Sequence, residues 1–405
     1  RARLIRDLAV VSTWPVVPAV VRLLLPRIDY ATMLVPPGGD DARLVQFLGL
    51  MHAQSAHDTG ELGYRRAVFE QFVERIDAEE RPGLHYLHVM LPHDPSVYLP
   101  SGAVCTAGRL REPMRWGPDV SAVATAFERH LLQVEFVDRL MGRLIDRLQS
   151  TGLWDDALLI VTADHGVSYR PGDHRRAISR TNYCDILGIP LFVKRPQQDA
   201  GSTSDRNVEI VDVLPTFADV LGVDVPWSVD GRSLLRADVP PRSAKHVRGP
   251  YWAEEDALFA AAPTFMAPAT LPRACLGLTR RRDWAAETVG SAAAIVGRSL
   301  SEVPMLEGAS EIGVELDHLE EFATIPADRG ILPCPISGRL IGLEQAATPP
   351  TLAVALNGRV AAVVQSRAVF QAVVPDDAFR PGANEVDVFI VEDVAGRPHL
   401  RRVRH

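Results

Sequence analysis

Strand-length apolar runs alternate with a helical pattern between about residues 82 and 235 of this 405-residue chain. The run at 157–162 is apolar almost throughout, which is typical of a strand buried on both faces of a sheet, and those at 85–91 and 189–193 are similar. Between 85–91 and 157–162, apolar side chains recur every three or four residues and predict an amphipathic helix. They are Phe127, Leu131, Val134, Val137, Met141, Leu144 and Leu148. The alternation predicts an α/β fold with a mostly parallel central sheet and helices on both faces.

Two polar segments follow these runs, at the carboxyl ends of the predicted strands, where α/β sheets bind ligands. They are Pro-His-Asp-Pro at 92–95 and Asp-His-Gly at 164–166. An adjacent carboxylate and imidazole can both turn toward one metal ion, and the glycine leaves room for a ligand. Taken alone, the tripeptide is equally compatible with a helix-capping aspartate beside an unrelated histidine.

Five segments carry the functional signal, and their order matters more than any one of them. They are Leu-Pro-His-Asp-Pro at 91–95, Val-Thr-Ala-Asp-His-Gly at 161–166, Gly-Asp-His at 172–174, Ile-Pro-Leu-Phe-Val-Lys at 189–194 and Val-Asp-Val-Leu-Pro-Thr at 211–216. This ordered set resembles the sulfatase family of the alkaline-phosphatase superfamily. The resemblance is greatest to bacterial sulfatase-like transferases related to lipoteichoic acid synthases and phosphoethanolamine transferases. The match covers roughly residues 84–235.

The resemblance implies roles for individual residues. Asp164 and His165 match two metal ligands of the family. His93 matches the histidine that contacts the ester oxygens and protonates the leaving group. His174 matches a second histidine of the same pocket, although the loop before it is longer than the family's usual one. Lys194 is a candidate for neutralising the anion, with a solvated surface lysine as the alternative.

These residue types suit the transfer or hydrolysis of a sulfate or phosphate ester, which builds negative charge on the nonbridging and leaving oxygens. A divalent ion and flanking cationic groups stabilise that charge. Imidazole is a good ligand for manganese or zinc, which we therefore favour. Calcium and magnesium, which prefer oxygen ligands, are the alternatives. The family suggests a cell-envelope lipid or glycan as the substrate.

The expected first half of such a site has no counterpart in the sequence. Family members have an early strand ending in an acidic metal ligand, followed by a Cys, Ser or Thr nucleophile. The sequence contains no Cys-x-Pro-Ser-Arg segment. Two ligands are fewer than a catalytic ion normally has. We therefore expect residues 1–405 to be the C-terminal part of the enzyme and to be inactive alone. The alternative is a non-catalytic glycan- or protein-binding protein built on a degraded sulfatase fold.

The domain prediction has three parts. Residues 1–235 are the C-terminal part of the sulfatase-like α/β domain, 236–290 are a connecting segment, and 291–405 are a β-rich module. In the module, two apolar strands flank Asn357-Gly358, a pair that strongly favours a tight hairpin turn. Alternation of apolar residues continues at 385–391 and predicts a small antiparallel sheet.

Composition limits the partners. A net charge of −8 argues against general nucleic-acid binding. The apolar stretch at 8–25 contains two prolines and an arginine, and it falls short of the roughly 20 apolar residues that span a bilayer. A membrane anchor upstream of Arg1 is left open, and the family suggests a membrane-associated domain outside the cytoplasm. The four cysteines lie far apart and do not indicate a redox compartment.

Overall fold

The computed structural model describes residues 64–78, 84–105, 112–247, 257–260 and 289–404. Within these ranges, positions 180, 205, 237, 239, 241, 243, 344–347 and 367 are not described. The segment predicted at 8–25 and most of the connecting segment at 236–290 lie outside the described residues. No helix in the described part of the chain is long and apolar enough to cross a bilayer.

The first part of the structure combines helices with short strands. In chain order they are α1 (Tyr64–Glu74), β1 (Val104–Cys105), α2 (Val120–Ser150), β2 (Leu159–Thr162), α3 (Tyr183–Leu187), β3 (Leu191–Lys194), α4 (Val213–Leu221), β4 (Ala244–Val247) and β5 (Ala257–Ala260). The 31-residue α2 confirms the helix predicted from apolar spacing. The Asp119 carboxylate caps it by accepting hydrogen bonds from the backbone N–H groups of Ser121 and Ala122. Its apolar side, including Phe136 and Leu140, packs against α1 and the chain around Tyr98.

The strands differ from the predicted parallel sheet. Residues 84–91 form no part of a sheet, although their apolar pattern predicted a strand. Strands β2 and β3 do form, but they pair antiparallel. Among the described strands, parallel pairing occurs only between β1 and a strand at 331–332 and within the C-terminal sheet. The mostly parallel central sheet is therefore not confirmed, and side-chain contacts hold residues 92–98 in place instead.

The C-terminal part is a seven-stranded mixed sheet with one further short strand. The strands are β6 (Met305–Leu316), β7 (Ile331–Leu332), β8 (Ile336–Ile341), β9 (Thr351–Leu356), β10 (Arg359–Gln365), β11 (Val369–Ala372), β12 (Val386–Val394) and β13 (Arg397–Arg404). Their order in the sheet is β10-β9-β12-β13-β6-β8-β11, and β7 instead pairs with β1. The β9–β10 hairpin turns at Asn357 and Gly358, whose φ angles are 54° and 78°, which confirms the predicted turn. The long β6 was not predicted, and its parallel pairing with β13 makes the sheet mixed.

Both faces of the sheet are covered, which explains the alternating pattern of β9. Leu352, Val354 and Leu356 face the larger core, whereas Ala353 and Ala355 face a smaller core under a 3₁₀ helix at Gly290–Ile295. The small alanine side chains allow this helix to approach closely. The larger core also contains Leu99, Ala103, Cys105 and Leu132 from the first part. The two parts of the chain therefore share one core.

Candidate functional site

Gln133 of α2 holds the segment that contains His93. Its side chain is completely buried. The side-chain carbonyl accepts hydrogen bonds from the backbone N–H groups of Val97 (3.0 Å) and Tyr98 (3.2 Å). Its amide donates to the backbone carbonyls of Pro92 and His93, both at 2.9 Å. One side chain thus satisfies four backbone groups, and this network takes the place of strand pairing.

Two arginines add to this support. Arg65 of α1 donates to the backbone carbonyl of His93 (2.6 Å) and to that of Asp94 (3.0 Å). Arg129 of α2 donates to the carbonyl of Ser96 (3.1 Å). The positive charge of Arg65 also acts on His93 and lowers its pKa.

The side chains of His93 and Asp94 meet a pair of arginines. His93 Nδ1–H donates to the Asp94 backbone carbonyl (2.6 Å), and His93 Nε2 accepts a hydrogen bond from Nη2 of Arg176. The Asp94 carboxylate oxygen Oδ1 lies 3.3 Å from Arg176 Nη2 and also 3.3 Å from Arg175 Nη2. Arg175 in turn pairs with Glu112 at 2.7 Å. A guanidinium has only donors, so the geometry requires a neutral His93 with its proton on Nδ1.

Burial and neighbouring charges shift the pKa values of these groups. Burial lowers the pKa of His93, and the nearby Arg176 and Arg65 charges lower it further, against the hydrogen bond to Asp94. Burial tends to raise the pKa of Asp94, but the adjacent arginines, Arg175 foremost and then Arg176, lower it, and the net shift is downward. Burial raises the pKa of Glu112. His130, beside the Pro92 carbonyl, has its pKa lowered to about 4, mainly by burial and then by Arg175.

Asp164 and His165 lie just beyond the end of β2. The carboxylate oxygen Asp164 Oδ2 is 3.6 Å from His165 Nε2. With its proton on Nδ1, His165 donates a hydrogen bond to the Gly166 carbonyl (2.8 Å). Metal-binding histidines commonly donate their other N–H in this way. Metal bonds of about 2.0–2.2 Å to both atoms are compatible with this separation.

The same residues do not complete a metal site. No group of three or more His, Cys, Asp or Glu side chains suited to one ion exists among the described residues. Asp164 and His165 therefore fit as two ligands, and the described chain supplies no third.

Gly166 fixes the position of this pair. A Cβ atom added to Gly166 would lie 2.1 Å from the backbone oxygen of Asp185, and the Gly166 N–H donates to the Ile186 carbonyl (2.8 Å). The chain then runs to Ser168, whose N–H donates to the Arg175 carbonyl (2.9 Å). This bond closes the loop at 168–175, which begins shortly after the Asp164–His165 pair and ends at the two arginines.

Comparison with known proteins relates this region to one family. Residues 37–223, which are less than half of the chain, match the family model described as Sulfatase. This part of the chain is therefore similar to the sulfatase family. We refer to the described portion of residues 37–223 as the sulfatase region.

Individual relatives match shorter stretches. The chain is 39% identical over 102 residues to a multifunctional alkaline phosphatase superfamily protein, PehA, of Trinickia caryophylli, covering 24% of this chain and 19% of that protein. It is 36% identical over 106 residues to an N-acetylglucosamine-6-O-sulfatase of Bacteroides thetaiotaomicron, covering 26% and 19%. Each match thus spans about a fifth of the relative's length. A phosphonate monoester hydrolase of Silicibacter pomeroyi aligns with a TM-score of 0.35 and 21% identity over 46% of this chain and 44% of that one.

His174 occupies a supporting position in the sulfatase region. Its Nδ1 accepts hydrogen bonds from the backbone N–H groups of Arg176 (3.1 Å) and Ala177 (2.8 Å). Asn182 donates to its backbone carbonyl (2.8 Å). His174 therefore shapes the turn that presents Arg176 to His93, and its predicted contact with the substrate stays a prediction.

Lys194 lies near the opposite end of β2 from Asp164, and its predicted role in anion binding stays a prediction. Its ammonium donates to the backbone carbonyls of Trp154, Asp155 and Ala157 and lies 5.0 Å from the centre of the Trp154 ring. Lys194 pairs with Leu159, at the start of β2, whereas Asp164 follows the end of that strand. At about 3.3 Å per residue, Leu159, and with it Lys194, lies roughly 15 Å from Asp164.

Sequence reasoning missed Gln133, Arg175 and Arg176. The two arginines directly follow the Gly-Asp-His segment at 172–174, and this adjacency was an available signal. Gln133 was harder to find because its importance depends on which residues face α2. A buried glutamine beside the apolar stripe of a helix is the pattern that indicates such a role.

Proposed function

We propose that the protein to which this chain belongs hydrolyses or transfers a sulfate or phosphate ester, using His93 and Arg176 to bind the ester oxygens. One observation carries the proposal. A neutral His93 faces the Arg176 guanidinium on a segment fixed by Gln133, within residues that match the sulfatase family. One relative is named an N-acetylglucosamine-6-O-sulfatase, and sulfate ester hydrolysis is an activity of this general kind.

The arrangement suits an anionic tetrahedral group. Arg176 offers N–H donors to nonbridging oxygens, and such charge-assisted hydrogen bonds are about twice as strong as neutral ones. His93 is neutral before the substrate binds, since burial and two arginines lower its pKa. A bound anion acts in the opposite direction and raises that pKa. Binding of the ester therefore favours uptake of a proton by His93, which can then pass it to the leaving oxygen.

Asp164 and His165 are proposed to hold a divalent ion, with manganese or zinc favoured over calcium or magnesium. When bound, the ion would supply electrostatic stabilisation of the ester oxygens. We propose that the remaining ligands and the nucleophile come from residues outside the described part of the chain. We also propose that residues outside the described part of the chain supply the remaining strands of a mostly parallel sheet.

The finer features of function are also proposals. The substrate is an ester on a cell-envelope lipid or glycan, and the enzyme works outside the cytoplasm at a membrane. A panel of lipid-linked and glycan-linked esters, offered to the full-length protein, would separate these substrates from soluble esters.

The central test compares two histidines in the full-length protein. Turnover of 4-nitrophenyl sulfate, bis(4-nitrophenyl) phosphate and a phosphonate monoester is measured with each of the four metal ions. His93→Gln should lower kcat on the order of 10²-fold, the usual scale for acid–base catalysis. His88→Gln is the matched control, because His88 is exposed and only five residues away. Equal turnover by both variants, or no turnover of any ester by the folded full-length protein, would refute the proposal.

A further inference from the structure

Two cysteines from distant parts of the chain lie beside each other in the shared core. Cys105 ends β1, and Cys334 comes two residues after β7. The two strands pair in parallel, with Cys105 opposite Leu332. The cysteines are 5% and 1% exposed, and both belong to the larger hydrophobic core.

Local geometry brings Cys334 back toward Cys105. The N–H of Cys334 donates to the carbonyl of Leu332 (2.9 Å), which makes a three-residue turn directly after β7. The Cys334 thiol is the neighbour that most raises the pKa of the Cys105 thiol, ahead of burial, which places the two side chains next to each other. Cys334 Sγ also lies 3.6 Å from the Val374 carbonyl. Neighbouring strands are about 4.8 Å apart, which puts Cys105 beside Leu332, and the turn after β7 brings Cys334 back toward this pair.

We propose that Cys105 and Cys334 form a disulfide that joins the sulfatase region to the C-terminal sheet. The oxidant is a small-molecule disulfide such as oxidised glutathione. One cysteine thiolate attacks it, forming a mixed disulfide and releasing one glutathione thiolate. The second cysteine thiolate attacks the mixed disulfide, forming the Cys105–Cys334 bond and releasing the other. Two cysteine thiols are oxidised, one glutathione disulfide is reduced to two thiols, and the cysteine protons go to the glutathione thiolates.

The bond forms before the core closes. In the folded chain, an oxidant cannot reach either sulfur, because both side chains are buried. The hydrogen bond with Cys334 and burial raise the pKa of the Cys105 thiol well above its usual range, so the attacking thiolate is scarce. During folding both obstacles are absent. The bond reinforces a contact in which β1 and β7 contribute only two residues each.

The wild-type chain provides the first test. It is refolded with oxidised glutathione or with dithiothreitol, alkylated in denaturant and mapped by peptide mass. The oxidised sample should contain a peptide pair linked through Cys105 and Cys334 and weigh about 2 Da less before alkylation. Its Tm should exceed that of the reduced sample by on the order of 5 °C. Full alkylation of both cysteines, or a link to Cys184 or Cys275, would overturn the proposal.

Serine variants and a kinetic comparison complete the test. Cys334→Ser should remove the dependence of Tm on the redox buffer, whereas Cys184→Ser, at another buried cysteine, should keep it. If Cys334→Ser does not fold, the wild-type peptide map decides. Oxidised glutathione added to folded, reduced protein should form the bond at least 10-fold more slowly than during refolding. Equal rates would refute bond formation before core closure.

Discussion

Gln133→Leu is the substitution that best tests the architecture of the site. Leucine has a similar size but no polar side-chain atoms, so the change removes four hydrogen bonds to residues 92–98, two of them buried and two partly buried. At about 1 kcal/mol net each, the loss is roughly 4 kcal/mol, and buried groups left without partners increase it. His93, whose carbonyl is one of the four partners, should shift away from Arg176.

Urea unfolding of the folded chain measures this loss, and Gln149→Leu is the matched control. Gln149 lies on the same helix but is exposed. The unfolding free energy of Gln149→Leu should therefore stay within about 0.5 kcal/mol of the wild-type value. Ester turnover by the full-length Gln133→Leu variant, measured well below its unfolding transition, should fall at least 10-fold through displacement of His93. If the unfolding free energy of Gln133→Leu lies less than about 1 kcal/mol below that of wild type, residues 92–98 are held by other contacts.

Three further predictions address the loop, the acid stability and the metal. Gly166→Ala should destabilise the fold by several kcal/mol, because the added Cβ meets a backbone oxygen at 2.1 Å. Gly117→Ala is the control: it has open space around it and should change the midpoint of urea unfolding little. The folded-state pKa of His130, about 4, lies below its unfolded value of 6.5, so its contribution to stability is complete above pH 6.5 and is lost as pH falls toward 4. Unfolding free energies measured across this range should show a shallower decline in His130→Gln, and an identical slope would contradict the assignment. Asp164→Asn in the full-length protein should weaken zinc or manganese binding at least 10-fold, as measured by calorimetry. Asp155→Asn, at an exposed position, should leave the affinity unchanged. Equal affinities of the two variants would exclude Asp164 as a ligand.

Sequence determined the features that depend on neighbours along the chain. The apolar spacing at 127–148 was enough to predict α2, because one buried face imposes that period on any amphipathic helix. Asn357-Gly358 was enough to predict the β9–β10 turn, since few residues adopt positive φ at two successive positions. Adjacency likewise kept the Asp164 and His165 side chains close, at 3.6 Å.

Tertiary structure decided which polar groups meet. The apolar run at 85–91 is compatible with a strand, yet the polar segment after it is held by Gln133, Arg129 and Arg65 from two helices. Arg176 lies beside His93 at the end of a loop that the bond from Ser168 to Arg175 closes. Such partners are far apart along the chain, and no local pattern specifies them. Their energies depend on burial, which exists only once the helices and the C-terminal sheet have packed into one core.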